Sequence, residues 1–316
     1  MGEKIAVRAA YGEALKKYGL ENPNVIVLDA DLAGATYSKY FADACPERFF
    51  DCGIAEANMM GVAAGLATTG KIPFVNSFAM FSCGRSYDQA RNSVAYPHLN
   101  VKIVGTHAGL AAGEDGATHQ CLEDIALMRA LPGMTIFCPC DAHEADLAVK
   151  AAIELDGPCY LRIGRNPVDT VTDSISGYRF VPGKGSTLRE GGDVAIIATG
   201  LMVQEALSAA KTLASEGIEA TVIDMHTIKP IDRELIVEVA KRCGVIVTSE
   251  DHNILGGLGG AVAEVVSECC PVPVLRNGVN DQFGHSGKAQ DVLDAYGVNA
   301  QGIAELARKA VALKRG

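Results

Sequence analysis

An α/β fold of two doubly wound, mainly parallel sheets is predicted by three features of this 316-residue sequence. Short β-branched runs alternate almost throughout with Ala-rich stretches of helical period, the pattern of parallel strands covered by helices. A polar, glycine-containing stretch over 173–192 has no sustained periodicity and divides the chain. Beyond it the same alternation resumes on a smaller scale, and the length suffices for two ordinary cores.

In the first part, apolar runs predict strands at 25–28, 73–76, 101–104, 135–138 and 160–163. Helices fill the gaps at 6–18, 56–69, 87–94 and 143–154. In the second part, strands at 193–198, 220–224, 245–248 and 273–275 alternate with helices that begin at Val203, Asp232, Gly259 and Gly302. This gives a first domain over 1–178, a linker over 179–191 and a smaller domain over 192–316. The cluster Gly256-Gly257-Leu258-Gly259-Gly260 invites comparison with a dinucleotide-binding turn. Its nearest register puts Val262 where a small residue must let helix meet strand, so a plain turn into a helix is the better reading and NAD binding is not supported.

Composition removes several function classes. A net charge of −10 leaves no basic stripe to neutralise phosphates, which argues against nucleic-acid or acidic-membrane binding. No apolar run is long enough to span a bilayer. Ten cysteines occur, but the spacings of Cys138/Cys140 and Cys269/Cys270 are not those of a zinc knuckle. The chain opens MGEKIAV without an apolar leader, so reduced thiols and a cytoplasmic location are expected.

The chemistry concentrates in THAGLAAGEDGATHQ over 106–120, directly after the apolar run 101–104. Open α/β sheets place ligands at the carboxyl ends of strands. There Gly109, Gly113 and Gly116 let backbone approach a ligand, while His107, His119, Glu114 and Asp115 supply donors, acceptors and proton carriers. Upstream, DCGIAE leads into MMGVAAGLATTG, and on spacing alone Glu56 is an ordinary first-turn acid favoured by the helix dipole. Phe78 and Phe81 in PFVNSFAMF lie three apart, a wall for a flat heterocycle or simply core. His143, His226 and His252 have no comparable context and read as structural.

Taken in order, DCGIAEANMMGVAAGLA, NSFAMF, THAGLAAGEDGATHQ and GPCYLRIGRN resemble the second half of transketolase, its pyrimidine-binding domain followed by its C-terminal domain. The resemblance spans essentially the whole chain. It implies thiamine diphosphate as cofactor and transfer of a two-carbon ketol unit from a ketose to an aldose. Glu56 matches the glutamate that bonds N1′ of the aminopyrimidine, which requires a dry pocket; Phe78 and Phe81 match the rings that stack on the pyrimidine. Asp31, in LDADLAG, matches an acid near the thiazolium side. His107 and His119 match histidines of the substrate channel, and Asp115 an acid that reads a substrate hydroxyl. Arg8 and Arg165 match arginines that hold a terminal phosphate, their bland alternative being weak surface salt bridges. The family often carries serine where Ala35 stands, leaving Thr36 as a substitute hydroxyl or else a weaker phosphate site and a different sugar.

One part of the pattern is absent. Family members hold the diphosphate through Mg²⁺ (or Ca²⁺) on a GDG motif followed by asparagine, and no GDG occurs in this sequence. The resemblance therefore implies the second subunit of a split transketolase. The N-terminal partner would carry GDG and its asparagine, and two copies of each chain would form a heterotetramer acting on sugar phosphates. Two related thiamine enzymes share the architecture, the β subunit of 2-oxo acid dehydrogenases and deoxyxylulose-phosphate synthase, with glycine-rich blocks less like GEDGATHQ. A non-catalytic regulatory subunit would not need Glu56, His107, His119 and Arg165 together.

Overall fold

The computed structural model describes residues 4–315; residues 1–3 and 316, the outer ends of the two expected domains, lie outside the described residues. The first sheet has seven strands in the spatial order Thr227–Lys229, Thr135–Phe137, Cys159–Ile163, Lys102–Thr106, Ile72–Phe78, Val25–Asp29, Phe49–Asp51. All pair in parallel except the edge strand Thr227–Lys229, which runs antiparallel to Thr135–Phe137. Every residue of Val25–Asp29, Lys102–Thr106 and Cys159–Ile163 is buried, as expected of a sheet covered on both faces. Period-two alternation divides the cores. Val27, Phe74 and Leu161 pack with Tyr11 and Leu15 of helix Val7–Glu21 and Val149 of helix Ala142–Glu154. Leu28, Val75 and Ile103 face the other way, onto Met59 and Met60 of helix Glu56–Ala67.

The second sheet has five strands, ordered Val274–Val279, Ile246–Asn253, Val194–Ala198, Ala220–Asp224, Ser186–Arg189. It is parallel except for Ser186–Arg189. That strand falls inside the segment expected to be a linker. A short, half-buried, polar edge strand carries no apolar run, which is why composition hides it. The edge strand Thr227–Lys229 comes from the second half of the chain and closes the first sheet, so the two parts are pinned by backbone pairing.

One expected helix is different in kind. Residues 87–94 form a short helix, Tyr87–Gln89, between two π-helical turns, Met80–Arg85 and Ala90–Ala95. A five-residue turn takes in one residue more than an α-turn, and apolar spacing alone does not reveal it. All ten cysteines are free thiols, and among the described residues no helix is long and apolar enough to cross a membrane.

The glycine-rich block is clamped between the two sheets. Leu110 and Ala111 N–H donate to the two carboxylate oxygens of Asp251 at 2.8 and 3.1 Å. Gly109 has φ +81°, and a Cβ there would sit 2.2 Å from Asp251 Oδ2, so the position admits only glycine. Buried Arg162 donates to Asp124 from Nε at 2.8 Å and to the Asp251 carbonyl from Nη2 at 2.8 Å. Gln120 Nε2 donates to the Gly113 and His285 carbonyls at 3.1 and 3.0 Å.

Candidate active site

The carboxyl ends of Val25–Asp29, Ile72–Phe78 and Lys102–Thr106, adjacent in the first sheet, deliver Asp31, Phe78 and His107 to one edge. Glu56 is the first residue of helix Glu56–Ala67 and only 2% exposed. A buried carboxylate needs a partner, and Arg85 provides it: Nη1 lies 2.8 and 2.9 Å from the two Glu56 oxygens. The same guanidinium lies over the Phe81 ring, its carbon 4.4 Å from the centroid. Phe78 and Phe81 stack at 6.1 Å with their planes 18° apart.

His107 adopts φ +58°, a left-handed conformation that a non-glycine residue reaches at some cost and that recurs in functional loops. Its ring centroid lies 3.9 Å from that of Phe78, Nδ1 is 2.9 Å from Thr106 Oγ1, and Nε2 is 3.3 Å from Arg8 Nη1. Burial pushes the imidazole down to about 3, reinforced by the charges of Arg8 and Arg165 and by His119. At neutral pH His107 is therefore an uncharged hydrogen-bonding group. His119 stands edge-on to Phe81 at 5.2 Å and 78°, with Nδ1 2.8 Å from Thr118 Oγ1. Glu56, Phe78, Phe81, His107 and His119 thus form one contiguous group, with Arg85 inside it.

Arg8 and Arg165 line a neighbouring cleft of about 350 Å³ together with Tyr37, Glu114 and Lys288. Arg8 is held by donating from Nη1 to the Ala35 carbonyl at 2.7 Å and from Nε to the Arg165 carbonyl at 3.2 Å. Burial lowers its guanidinium from the ordinary arginine value. Arg165 Nη1 donates to the Ala112 carbonyl and lies 3.6 Å from Asp115 Oδ2, on the exposed part of the glycine-rich block. A wider cleft of about 470 Å³ opens beyond Thr118, between the first sheet's loops and Asn253, Asp281 and Phe283 of the second part.

Asp31 and Thr36 have other neighbours. Asp31 is exposed at φ +61° just after strand Val25–Asp29, with its N–H donating to Asp51 Oδ1 at 3.1 Å. The expected stand-in hydroxyl, Thr36, is buried and turned away: Oγ1 donates to Asp29 Oδ2 at 2.8 Å. Ser38 Oγ and Leu32 N–H complete that carboxylate's shell at 2.8 and 2.6 Å. Burial pushes Asp29 up to about 6 against the pull of these donors, and Thr36, already bonded to it, does not replace the absent serine. Sequence reasoning missed Arg85, Asp29 and Lys288. Arg85 lies between the expected strand at 73–76 and the expected helix at 87–94, in a stretch given no element, and Lys288 reaches the cleft only through packing of the second part. The potential metal cluster among the described residues, buried Cys140, Glu144 and Asp224, shares no residue with this site.

Comparison with known proteins places these features. The transketolase pyrimidine-binding domain family matches residues 3–169, and the transketolase C-terminal domain family matches 183–303. A protein of Methanocaldococcus jannaschii described as a transketolase C-terminal section is 50% identical over 300 residues, covering 95% of this chain and 94% of that protein. The 6-deoxy-6-sulfo-D-fructose transketolase subunit SqwH of a Clostridium species is 44% identical over 97% of this chain and 95% of its own length. Human transketolase is 36% identical over 98% of this chain but only 49% of its own length. A solved structure described as a split-gene transketolase, inactive β4 tetramer, superposes with a TM-score of 0.91 at 53% identity, covering 98% of this chain and all of that one. The chain belongs to the thiamine-diphosphate-dependent transketolase family, as the carboxy-terminal half that occurs as a separate subunit in split transketolases.

Proposed function

We propose that this chain is the catalytic C-terminal subunit of a split transketolase that moves a two-carbon ketol unit from a ketose phosphate to an aldose phosphate. The observation that carries the reading is the buried Glu56 carboxylate beside the stacked Phe78–Phe81 pair and the uncharged His107. The seat fits an aminopyrimidine: the planar Arg85 guanidinium already hydrogen-bonds Glu56 and covers Phe81 there. When bound, thiamine diphosphate supplies an electron sink for cleaving and forming the carbon–carbon bond.

This chain's residues do the rest. Glu56 holds or takes a proton at the pyrimidine ring nitrogen, and Phe78 and Phe81 fix the plane of the ring. His107 and His119 hydrogen-bond sugar oxygens and pass protons, with Asp115 orienting a substrate hydroxyl. Arg8 and Arg165, with Lys288 added from the second part, grip the terminal anionic group. Asp31 stands on the rim as a further acid toward the cofactor. The domain limits 1–178 and 192–316 leave strand Ser186–Arg189 of the second sheet in the linker and strand Thr227–Lys229 of the first sheet in the second domain.

The diphosphate and its Mg²⁺ or Ca²⁺ are assigned to an N-terminal partner subunit carrying GDG and asparagine. An exposed face beside Glu56 supports such docking: Ile54 is 76% exposed, and Val62, Gly61 and Gly65 continue the same stripe unopposed. The expected assembly is a heterotetramer in the cytoplasm. Turnover of the reconstituted pair with a pentulose phosphate plus an aldose phosphate tests the proposal. Activity on pyruvate with a lipoyl acceptor instead would assign the chain to the 2-oxo acid dehydrogenase β subunits.

A further inference from the structure

Arg85 meets both requirements that the proposed function places on the cofactor's aminopyrimidine. Its Nη1 bridges the two Glu56 oxygens at 2.8 and 2.9 Å, and its flat guanidinium rests 4.4 Å from the Phe81 centroid. A delocalised planar cation is the side chain most similar to a protonated aminopyrimidine in shape and hydrogen-bonding edge. We infer that Arg85 is a placeholder for the pyrimidine: it occupies the seat while the cofactor is away and must leave when the cofactor enters. The inference rests on the assignment of Glu56 and Phe81 to that seat.

The asymmetry of the pair gives the direction of movement. The Glu56 side chain is 2% exposed and fixed in the first turn of its helix, whereas the Arg85 side chain is 50% exposed at the end of the π-turn Met80–Arg85. Glu56 therefore stays, and Arg85 can swing into solvent without unfolding anything. While it is in place, the buried carboxylate keeps a partner, so the unassembled subunit avoids an unpaired buried charge. Once the partner subunit brings the diphosphate, ring and guanidinium compete for one carboxylate and one aromatic face. Every increment of Arg85–Glu56 attraction is then subtracted from cofactor affinity.

The test is thiamine diphosphate titration, with Mg²⁺ in excess, of the complex reconstituted with its N-terminal subunit, followed by protein fluorescence. Arg85→Ala is expected to bind cofactor about two- to fivefold more tightly than the wild type, the range of a half-exposed ion pair. It should also melt earlier as the isolated chain. Arg85→Lys, charged but not planar, should fall between. Equal or weaker binding by Arg85→Ala would overturn the placeholder, because a purely structural arginine can only weaken the site when removed. The same titration on Glu56→Ala/Arg85→Ala separates this from the underlying reading. If that variant loses affinity relative to Arg85→Ala while Arg85→Ala itself gains none, only the placeholder fails. If removing Glu56 costs no affinity, the assignment of Glu56 fails, and the inference with it.

Discussion

Replacing Glu56 by glutamine is the substitution that most cleanly divides chemistry from folding at this site. Glutamine is isosteric, keeps one oxygen to accept from Arg85 and fits the same first-turn position, but it cannot hold a proton for the pyrimidine. The fold should notice little. The only described partner of the carboxylate is Arg85, whose side chain is 50% exposed, so solvent screening limits the pair to about 1 kcal/mol or less. For a chain of this size that corresponds to a melting shift of about 2–4 °C or less. Catalysis should notice a great deal. Loss of a positioned acid–base group costs about a hundredfold or more in kcat, equivalent to about 2.7 kcal/mol at 1.36 kcal/mol per factor of ten. The assay is ketol transfer by the reconstituted two-subunit enzyme at saturating cofactor, with melting of the same preparation as control. Turnover within about threefold of wild type at unchanged melting temperature would refute the role given to Glu56 and with it the cofactor seat.

Other expectations follow from the same geometry. Arg165→Ala removes one or two charge-assisted bonds and should raise KM for a phosphorylated ketose about ten- to a hundredfold, with little change for an unphosphorylated one; equal effects on both would remove the phosphate role. Lys288→Ala should show the same selectivity at smaller amplitude, read from the same pair of substrates. His107 makes acid sensitivity testable. Its folded value, about 3, lies below the ordinary 6.5, so below pH 6.5 the unfolded chain takes up a proton that the native chain refuses. Stability from this group is complete above pH 6.5 and falls by about 1.4 kcal/mol per pH unit toward pH 3. Asp29 works oppositely, because its folded value of about 6 lies above the ordinary 3.8 and its stabilisation fades as pH rises through that range. The two slopes offset between pH 4 and 6 in the wild type. Denaturant midpoints should therefore fall less steeply on acidification for His107→Asn and more steeply for Asp29→Asn. Identical profiles for all three proteins would contradict both assignments. Gly109→Ala, forced against Asp251 at a positive φ, should destabilise by about 2 kcal/mol or more, measured by urea unfolding.

Much of this was legible in the chain, for physical reasons that also explain the rest. Buried parallel strands must be runs of apolar residues, so Val25–Asp29, Lys102–Thr106 and Val194–Ala198 announce themselves. Edge strands carry no such constraint, and Ser186–Arg189 and Thr227–Lys229 passed unseen. The residues of one strand-end loop, His107 to His119, could be grouped because they are neighbours in sequence. Arg85 could not be paired with Glu56, nor Lys288 with Arg8, because tertiary packing alone brings them together. Thr36 shows the opposite failure: position put a hydroxyl where one was wanted, and the buried Asp29 carboxylate had a prior claim on it.

The central claim is that this polypeptide builds the pyrimidine side of a thiamine site and needs another chain for the diphosphate side. Equilibrium dialysis against thiamine diphosphate and Mg²⁺ tests it most directly, run on the isolated chain, on an N-terminal subunit carrying GDG and asparagine, and on their mixture. Retention and ketol transfer by the mixture alone is the predicted result. Tight retention with turnover by the isolated chain would contradict it.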